Sequence, residues 1–273
     1  TDLPMAAGLS SSAAGELATA LCLLQLGGRE LPKSELVSIC RKAENEWVGL
    51  PCGILDQGTS AFGEKNQVVR IDCAEEAFST LPLPEGTAFW IFDTGIKHDL
   101  VDSHYGTRNR ECMDALSALQ TLDPQLKHLA HCPSELLERA NLEEDILKRT
   151  RHVIGEQARV EQFEAGLRES KSPEQLGSLL QESHRSSSEL FENSVPELDH
   201  LVHLLNEDSE VFGARLTGGG FGGAALAWTS QSFNEERANS IAQAYCTKWD
   251  IEPRFHTFTP SRGAHSRDPL DKE

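Results

Sequence analysis

Pro4-Met5-Ala6-Ala7-Gly8-Leu9-Ser10-Ser11-Ser12-Ala13-Ala14 opens the chain with small residues, a glycine and three consecutive hydroxyls. Ala13, Ala14, Leu17, Ala18, Leu21 and Leu24 then recur at intervals of one, three and four, which predicts a helix starting near the serines. Any of Ser10 to Ser12 is a candidate cap, because a hydroxyl accepts from the orphan backbone donors of a first turn. Small residues let a backbone approach a ligand closely, and the exposed N–H groups with the helix dipole favour an anion. The stretch reads as a phosphate cradle at a helix N-terminus, with a simply capped helix start as the plain alternative. It is not a P-loop, which would need the lysine of G-x-x-x-x-G-K-[ST], and it is not G-x-G-x-x-G.

Working outward, Gly27-Gly28 ends the first helix, and a second begins near Lys33 with Leu36, Ile39, Cys40, Ala43 and Trp47 on one face. Gly49 closes it. Glu44 sits at the edge of that face, where a solvated acid is the default reading. In Leu50-Pro51-Cys52-Gly53-Ile54-Leu55-Asp56-Gln57 the helix is broken, and Asp56 falls where a new one can begin, as a cap if position alone decides.

Residues 67–72 and 88–93 are short β-rich runs bounded by Asn66, Pro84 and Gly86. The second leads into Ser103-His104-Tyr105-Gly106-Thr107-Arg108-Asn109-Arg110-Glu111-Cys112, where Tyr105 is open to two readings, a half-buried core tyrosine or a pocket residue. Residues 113–205 are helical in pattern. His152 and His184 have no second ligand four residues on, so both read as structural. Gly218-Gly219-Gly220-Phe221-Gly222-Gly223 places five glycines in six positions ahead of a small-residue strand. Each costs backbone entropy, so the loop is expected where a backbone or ligand must come close. The tail from 261 to 273 is polar and expected to fray.

Forty-three acids against twenty-five Lys and Arg give a net charge of −18, which argues against nucleic acid or an anionic membrane as partner. No apolar run is long enough to span a bilayer. Seven scattered cysteines without a C-x-x-C pair read as free thiols of a reducing cytoplasm.

Pro4 to Ala14 resembles the phosphate-binding motif of the GHMP kinase superfamily, Pro-x-Gly-x-Gly-Leu-Ser-Ser-Ser-Ala, with Ala6 where the first glycine usually stands. Cys52-Gly53-Ile54-Leu55-Asp56-Gln57 resembles a fingerprint of galactokinases, with Leu55 for the usual Met, a volume-conserving exchange. The 103–112 segment is similar to the family's Tyr-x-x-Arg-Arg-x-x-Cys, with Asn109 a departure and Lys97 another just before it. The glycine run is similar to the third superfamily motif. The resemblance implies an α+β fold, with a split N-terminal domain carrying the phosphate loop and a C-terminal α/β-sandwich domain of helices flanking an antiparallel sheet. The expected boundaries are 1–85, 86–260 and a tail at 261–273.

The resemblance further implies ATP-dependent phosphorylation of the anomeric hydroxyl of a monosaccharide, galactose first, with Mg²⁺. Ala7, Gly8, Leu9, Ser10, Ser11 and Ser12 would hold the nucleotide phosphates, and Ser12 with Glu44 the magnesium. Asp56 would be the catalytic base. Cys52, Gly53, Asp56 and Tyr105 would border the sugar, and Gly218, Gly219 and Gly220 would form the loop beside the site. Arabinose kinases share the fingerprint and are the nearest alternative. A ligand-sensing regulator on the same fold lacks a Ser-Ala pair in the phosphate loop, whereas Ser10 to Ala14 are intact here. Galactokinases also carry Gly-Glu-His-Thr-Asp-Tyr, with an arginine before it that partners the catalytic Asp; no Gly-Glu-His occurs in this sequence. With Thr1 so close to the phosphate stretch, the chain is expected to lack its own sugar-recognition segment, and these 273 residues alone to have little or no kinase activity.

Overall fold

The computed structural model describes residues 10–49, 52–96 and 101–265, with only the backbone of 101–105. The chain divides into two compact units, one of Thr1–Glu85 with Thr259–Glu273 and one of Gly86–Phe258.

In the first unit, the 3.6-residue periodicity and the Gly27 stop give α1 (Ser11–Leu26), with Ala13 and Leu17 buried. Helix α2 (Lys33–Ala43) buries Leu36, Val37 and Cys40, then widens into a π-turn over Glu44–Val48 that ends on Gly49 at φ 79°. The expected apolar face fails there: Ile39 is 46% and Trp47 88% exposed. Glu44 continues the Leu36–Cys40 stripe inward at four-residue spacing, and the wider turn that begins there leaves Trp47 facing out. Helix α3 (Leu55–Phe62) follows, and a two-stranded antiparallel sheet pairs β1 (Gln67–Asp72) with β2 (Ala77–Pro82), a strand the sequence reading had not marked. Leu17, Leu36, Val37, Cys40, Ile54 and Ala61 form the core, and Phe62 stacks on Phe78 at 4.2 Å. Of the tail expected to fray, the described residues 261–265 are fastened, since Gly263 N donates to Gly63 O and Ala264 N to Ser60 O, just after Pro260 O accepts from Asn66 N; residues 266–273 lie outside the described residues.

The second unit is built on an antiparallel sheet of order β4-β5-β3-β6, from β3 (Thr87–Asp93), β4 (Val211–Thr217), β5 (Ala224–Ser230) and β6 (Arg254–Phe258). Period-two alternation gives the sheet two buried faces. Trp90, Phe92, Ala225 and Ala227 meet Leu198, Leu201 and Leu205 of α8 (Pro196–Glu207) and Ile241 and Tyr245 of α9 (Glu235–Trp249). On the other face Trp228 meets Phe163 of α6 (Glu144–Arg168), and α7 (Pro173–Ser186) crosses β4. That crossing requires two glycines, since a Cβ on Gly177 would lie 2.1 Å from Phe212 O, and one on Gly213 2.1 Å from Gly177 O. Helices α4 (Val101–Gln120) and α5 (Ser134–Arg139) add a cluster with α6 around Ala115, Leu119 and Leu136. The helix-flanked antiparallel sheet is the architecture the resemblance implies.

Candidate functional site

At the start of α1, where the sequence points to a cradle, the capping differs from expectation. Ser10 is the N-cap residue, in the left-handed region at φ 52°, and its hydroxyl makes no capping bond. Ser12 is also diverted from capping: its Oγ donates to Glu44 Oε1 at 3.1 Å, joining α1 to the π-turn. Ala7, Gly8 and Leu9 lie outside the described residues.

Glu44 is only 5% exposed. Its Oε2 accepts from Gln57 Nε2 at 2.6 Å and from the Cys52 thiol at 3.4 Å. Gln57, fully buried on α3, also donates to Glu16 Oε2 at 3.3 Å, so one amide nitrogen bridges two carboxylates. Glu16 stands four residues after Ser12 on the same face of α1. Burial, and secondarily the Glu44 charge, holds the Glu16 carboxyl above its ordinary pKa. Burial and the same carboxylate raise the Cys52 thiol. Cys52 is further fixed by Asn45, whose Oδ1 accepts from Cys52 N at 2.8 Å.

Among the described residues neither Glu44 nor Glu16 has a Lys, Arg or His partner. The buried Glu44 carboxylate and the half-buried Glu16, without a cationic partner among the described residues and with a hydroxyl against one oxygen, suit a hard dication better than an apolar interior. Among the same residues no three His, Cys, Asp or Glu side chains converge as a complete cation site.

Asp56 lies in the first turn of α3 as its second residue, not as its cap, since Ile54 holds that position. It is half-buried and has no hydrogen bond or ion pair among the described residues. Gly53 is exposed, with nothing within 4 Å of where a Cβ would stand. The Tyr105 side chain lies outside the described residues. Gly218, Gly219 and Gly220 belong to the second unit, in the β4–β5 hairpin, with Gly218 and Gly220 at φ 76° and 81°. His152 and His184 are structural: His152 Nδ1 pairs with Ser186 Oγ at 2.8 Å, and His184 Nε2 with Asp199 at 3.2 Å.

Sequence reasoning passed over Gln57 and Glu16. The four-residue spacing from Ser12 to Glu16 was the available signal for one of them. Gln57 had none beyond its place at the end of the fingerprint.

Two family models match in order: the GHMP kinases N terminal domain over residues 1–64 and the GHMP kinases C terminal domain over 162–251. The galactokinase of Thermotoga neapolitana is 38% identical over 264 residues, covering 96% of this chain and 73% of the relative. The galactokinase of Glaesserella parasuis is 36% identical, covering 96% of this chain and 68% of the relative. The crystal structure of Lactococcus lactis galactokinase complexed with galactose matches with a TM-score of 0.89 at 29% identity, over 96% of this chain and 68% of that one. With both family models in order and these relatives alike across nearly the whole sequence, the chain belongs to the galactokinase family of the GHMP kinases.

Proposed function

We propose that this protein transfers the γ-phosphoryl group of ATP to the anomeric hydroxyl of galactose, giving galactose 1-phosphate and ADP. The observation that carries the reading beyond family membership is the Ser12–Glu44–Gln57 corner, a hydroxyl and a buried carboxylate brought together from separate helices without a protein cation.

Backbone amides of residues 7–11 at the start of α1 hold the β- and γ-phosphates, where the helix dipole and unpaired N–H groups favour anions. Ser12 and Glu44 hold the magnesium, which when bound neutralises phosphate charge. The resemblance assigns Cys52, Gly53 and Tyr105 to the sugar. Asp56, at the head of α3 and free of partners among the described residues, receives or orients the proton of the attacking hydroxyl. As the sugar oxygen bonds to the γ-phosphorus, the bond to the β,γ-bridging oxygen breaks and ADP leaves. Positioning and charge neutralisation supply most of the catalysis in such transfers. Seven free cysteines support a reducing, cytoplasmic setting, and no described helix is long and apolar enough to cross a membrane.

The test offers galactose, arabinose and glucose to the full-length protein with ATP and Mg²⁺, and identifies products by phosphorus NMR. Galactose 1-phosphate as the main product supports the reading. Preferential turnover of arabinose replaces the substrate, and nucleotide and sugar binding without turnover contradicts the enzyme.

A further inference from the structure

Four consecutive backbone carbonyls, 190–193, run from the end of the π-turn Ser187–Phe191, which extends α7, to just past it. Carbonyls at a helix C-terminus lack intrahelical donors and attract cations. Here two arginines from other helices supply three of them. Arg149 Nη1 donates to Leu190 O at 2.7 Å, Arg108 Nε to Phe191 O at 2.6 Å, and Arg108 Nη2 to Glu192 O at 3.1 Å. The fourth carbonyl, Asn193 O, accepts from Phe221 N in the glycine hairpin at 2.6 Å. Asn193 Nδ2 reaches Gly219 O at 3.2 Å, and a Cβ on Gly220 would lie 2.0 Å from Asn193 O.

The arginines are themselves fixed. Glu111 accepts from both, and Arg149, only 2% exposed, also meets Glu192 Oε2 at 2.8 Å. The Arg108 guanidinium lies over the Phe221 ring at 6.0 Å, so it touches the hairpin it helps to place. At the hairpin's far end Gly223 O accepts from Thr94 N and Thr94 Oγ1 at 2.8 and 2.7 Å.

We propose that Arg108, backed by Arg149, is a positioning residue for the kinase reaction: through the 190–193 carbonyls and the Phe221 ring it fixes the glycine hairpin in its binding-competent shape. This rests on the proposed function and on the family resemblance, which implies that the glycine motif serves the reaction site. A buried Arg149 and a half-buried Arg108, on separate helices, both turn their donors onto this one stretch of backbone. Between Gly218 and Gly223 the hairpin has one side chain to hold it, the Phe221 ring, and that is the ring Arg108 covers.

The experiment compares full-length wild type with Arg108→Lys, which keeps the charge for Glu111 and loses the planar fork and the stacking. Phe221→Leu is a second route to the same contact, and Ile241→Ala, in the α9 core, is the control for general destabilisation. Amide hydrogen exchange of residues 218–223 reads the clamp without any turnover. Faster exchange there in both test variants, with the KM for ATP raised about tenfold and that for galactose within about twofold, supports the proposal. Unchanged exchange in folded Arg108→Lys overturns it, whether or not the protein is active. Faster exchange with unchanged ATP kinetics also overturns it, as does an equal rise in the KM for ATP in Ile241→Ala. Wild type without turnover would count against the proposed function alone and leave the exchange result standing.

Discussion

Ser12 Oγ and Glu44 Oε1 lie 3.1 Å apart although 32 positions separate them, so the head of α1 and the π-turn after α2 meet at one oxygen pair. Glu44 Oε2 is occupied by Gln57 and Cys52, which leaves the Oε1 edge beside Ser12 as the face available to a cation. The carboxylate is thus oriented before any ligand arrives.

Glu44→Gln keeps the volume and removes the charge from that edge. The Mg²⁺ concentration for half-maximal rate is expected to rise about tenfold or more, with the KM for galactose unchanged. A magnesium titration of the full-length protein checks this. An unchanged magnesium requirement would remove Glu44 from the cation corner.

Gln57→Met removes the amide that Glu44 and Glu16 share. Leaving a buried carboxylate oxygen short of a donor should lower unfolding stability by about 1–3 kcal/mol. Thermal melts with and without Mg·ADP are expected to differ more for the variant than for wild type, because the cation then compensates a larger uncancelled charge. An equal difference in the two proteins would contradict this.

His152, stacked on Phe191 and facing Glu156, Arg159 and Arg215, is pushed down to about 4 chiefly by burial. The unfolded chain binds that proton with the ordinary histidine pKa of 6.5. Between those values the unfolded state takes up more protons, so stability falls as pH drops from 6.5 towards 4 and levels off below. Over that window His152→Phe should flatten the loss by on the order of 1–3 kcal/mol. Glu156 is held below its ordinary value despite burial, by Ser183 and the two arginines, and its own loss falls lower, below pH 4.5, in both proteins. Denaturant unfolding from pH 7 to 4 checks the difference. Parallel curves would rule the histidine out.

Gly213→Ala would drive a methyl into Gly177 O, 2.1 Å from the ideal Cβ position, where α7 and β4 cross backbone to backbone. A cost of about 1–3 kcal/mol or more is expected. Gly15→Ala, in the middle of α1 with nothing within 4 Å, should instead stabilise by about 0.5–1 kcal/mol. Thermal melts of the two variants should move in opposite directions.

Helix boundaries were legible because Gly27 and Gly49 stop helices by mechanisms that local sequence carries. Trp47 was not, since the π-turn that rotates it outward is set by Glu44 reaching for Ser12 and Gln57. Strand β6, Arg-Phe-His-Thr-Phe at a sheet edge, is too polar and short to mark itself, and β2 alternates only weakly. Ser12, Glu44 and Asp56 were singled out as candidates by the family resemblance. Spacing alone left Glu44 a solvated acid and Asp56 a cap. Arg149 and Asn193 carried no signal because their partners are backbone carbonyls and a hairpin, which exist only once the chain has folded.

The most direct measurement is single-turnover phosphorylation of galactose by the full-length protein and its Asp56→Asn variant, with galactose and nucleotide binding measured on both. Loss of the chemical step by about 10²–10⁴-fold, with both ligands still bound, is the predicted result. A variant that binds both and phosphorylates galactose at the wild-type rate would contradict Asp56 as the base, and with it the mechanism.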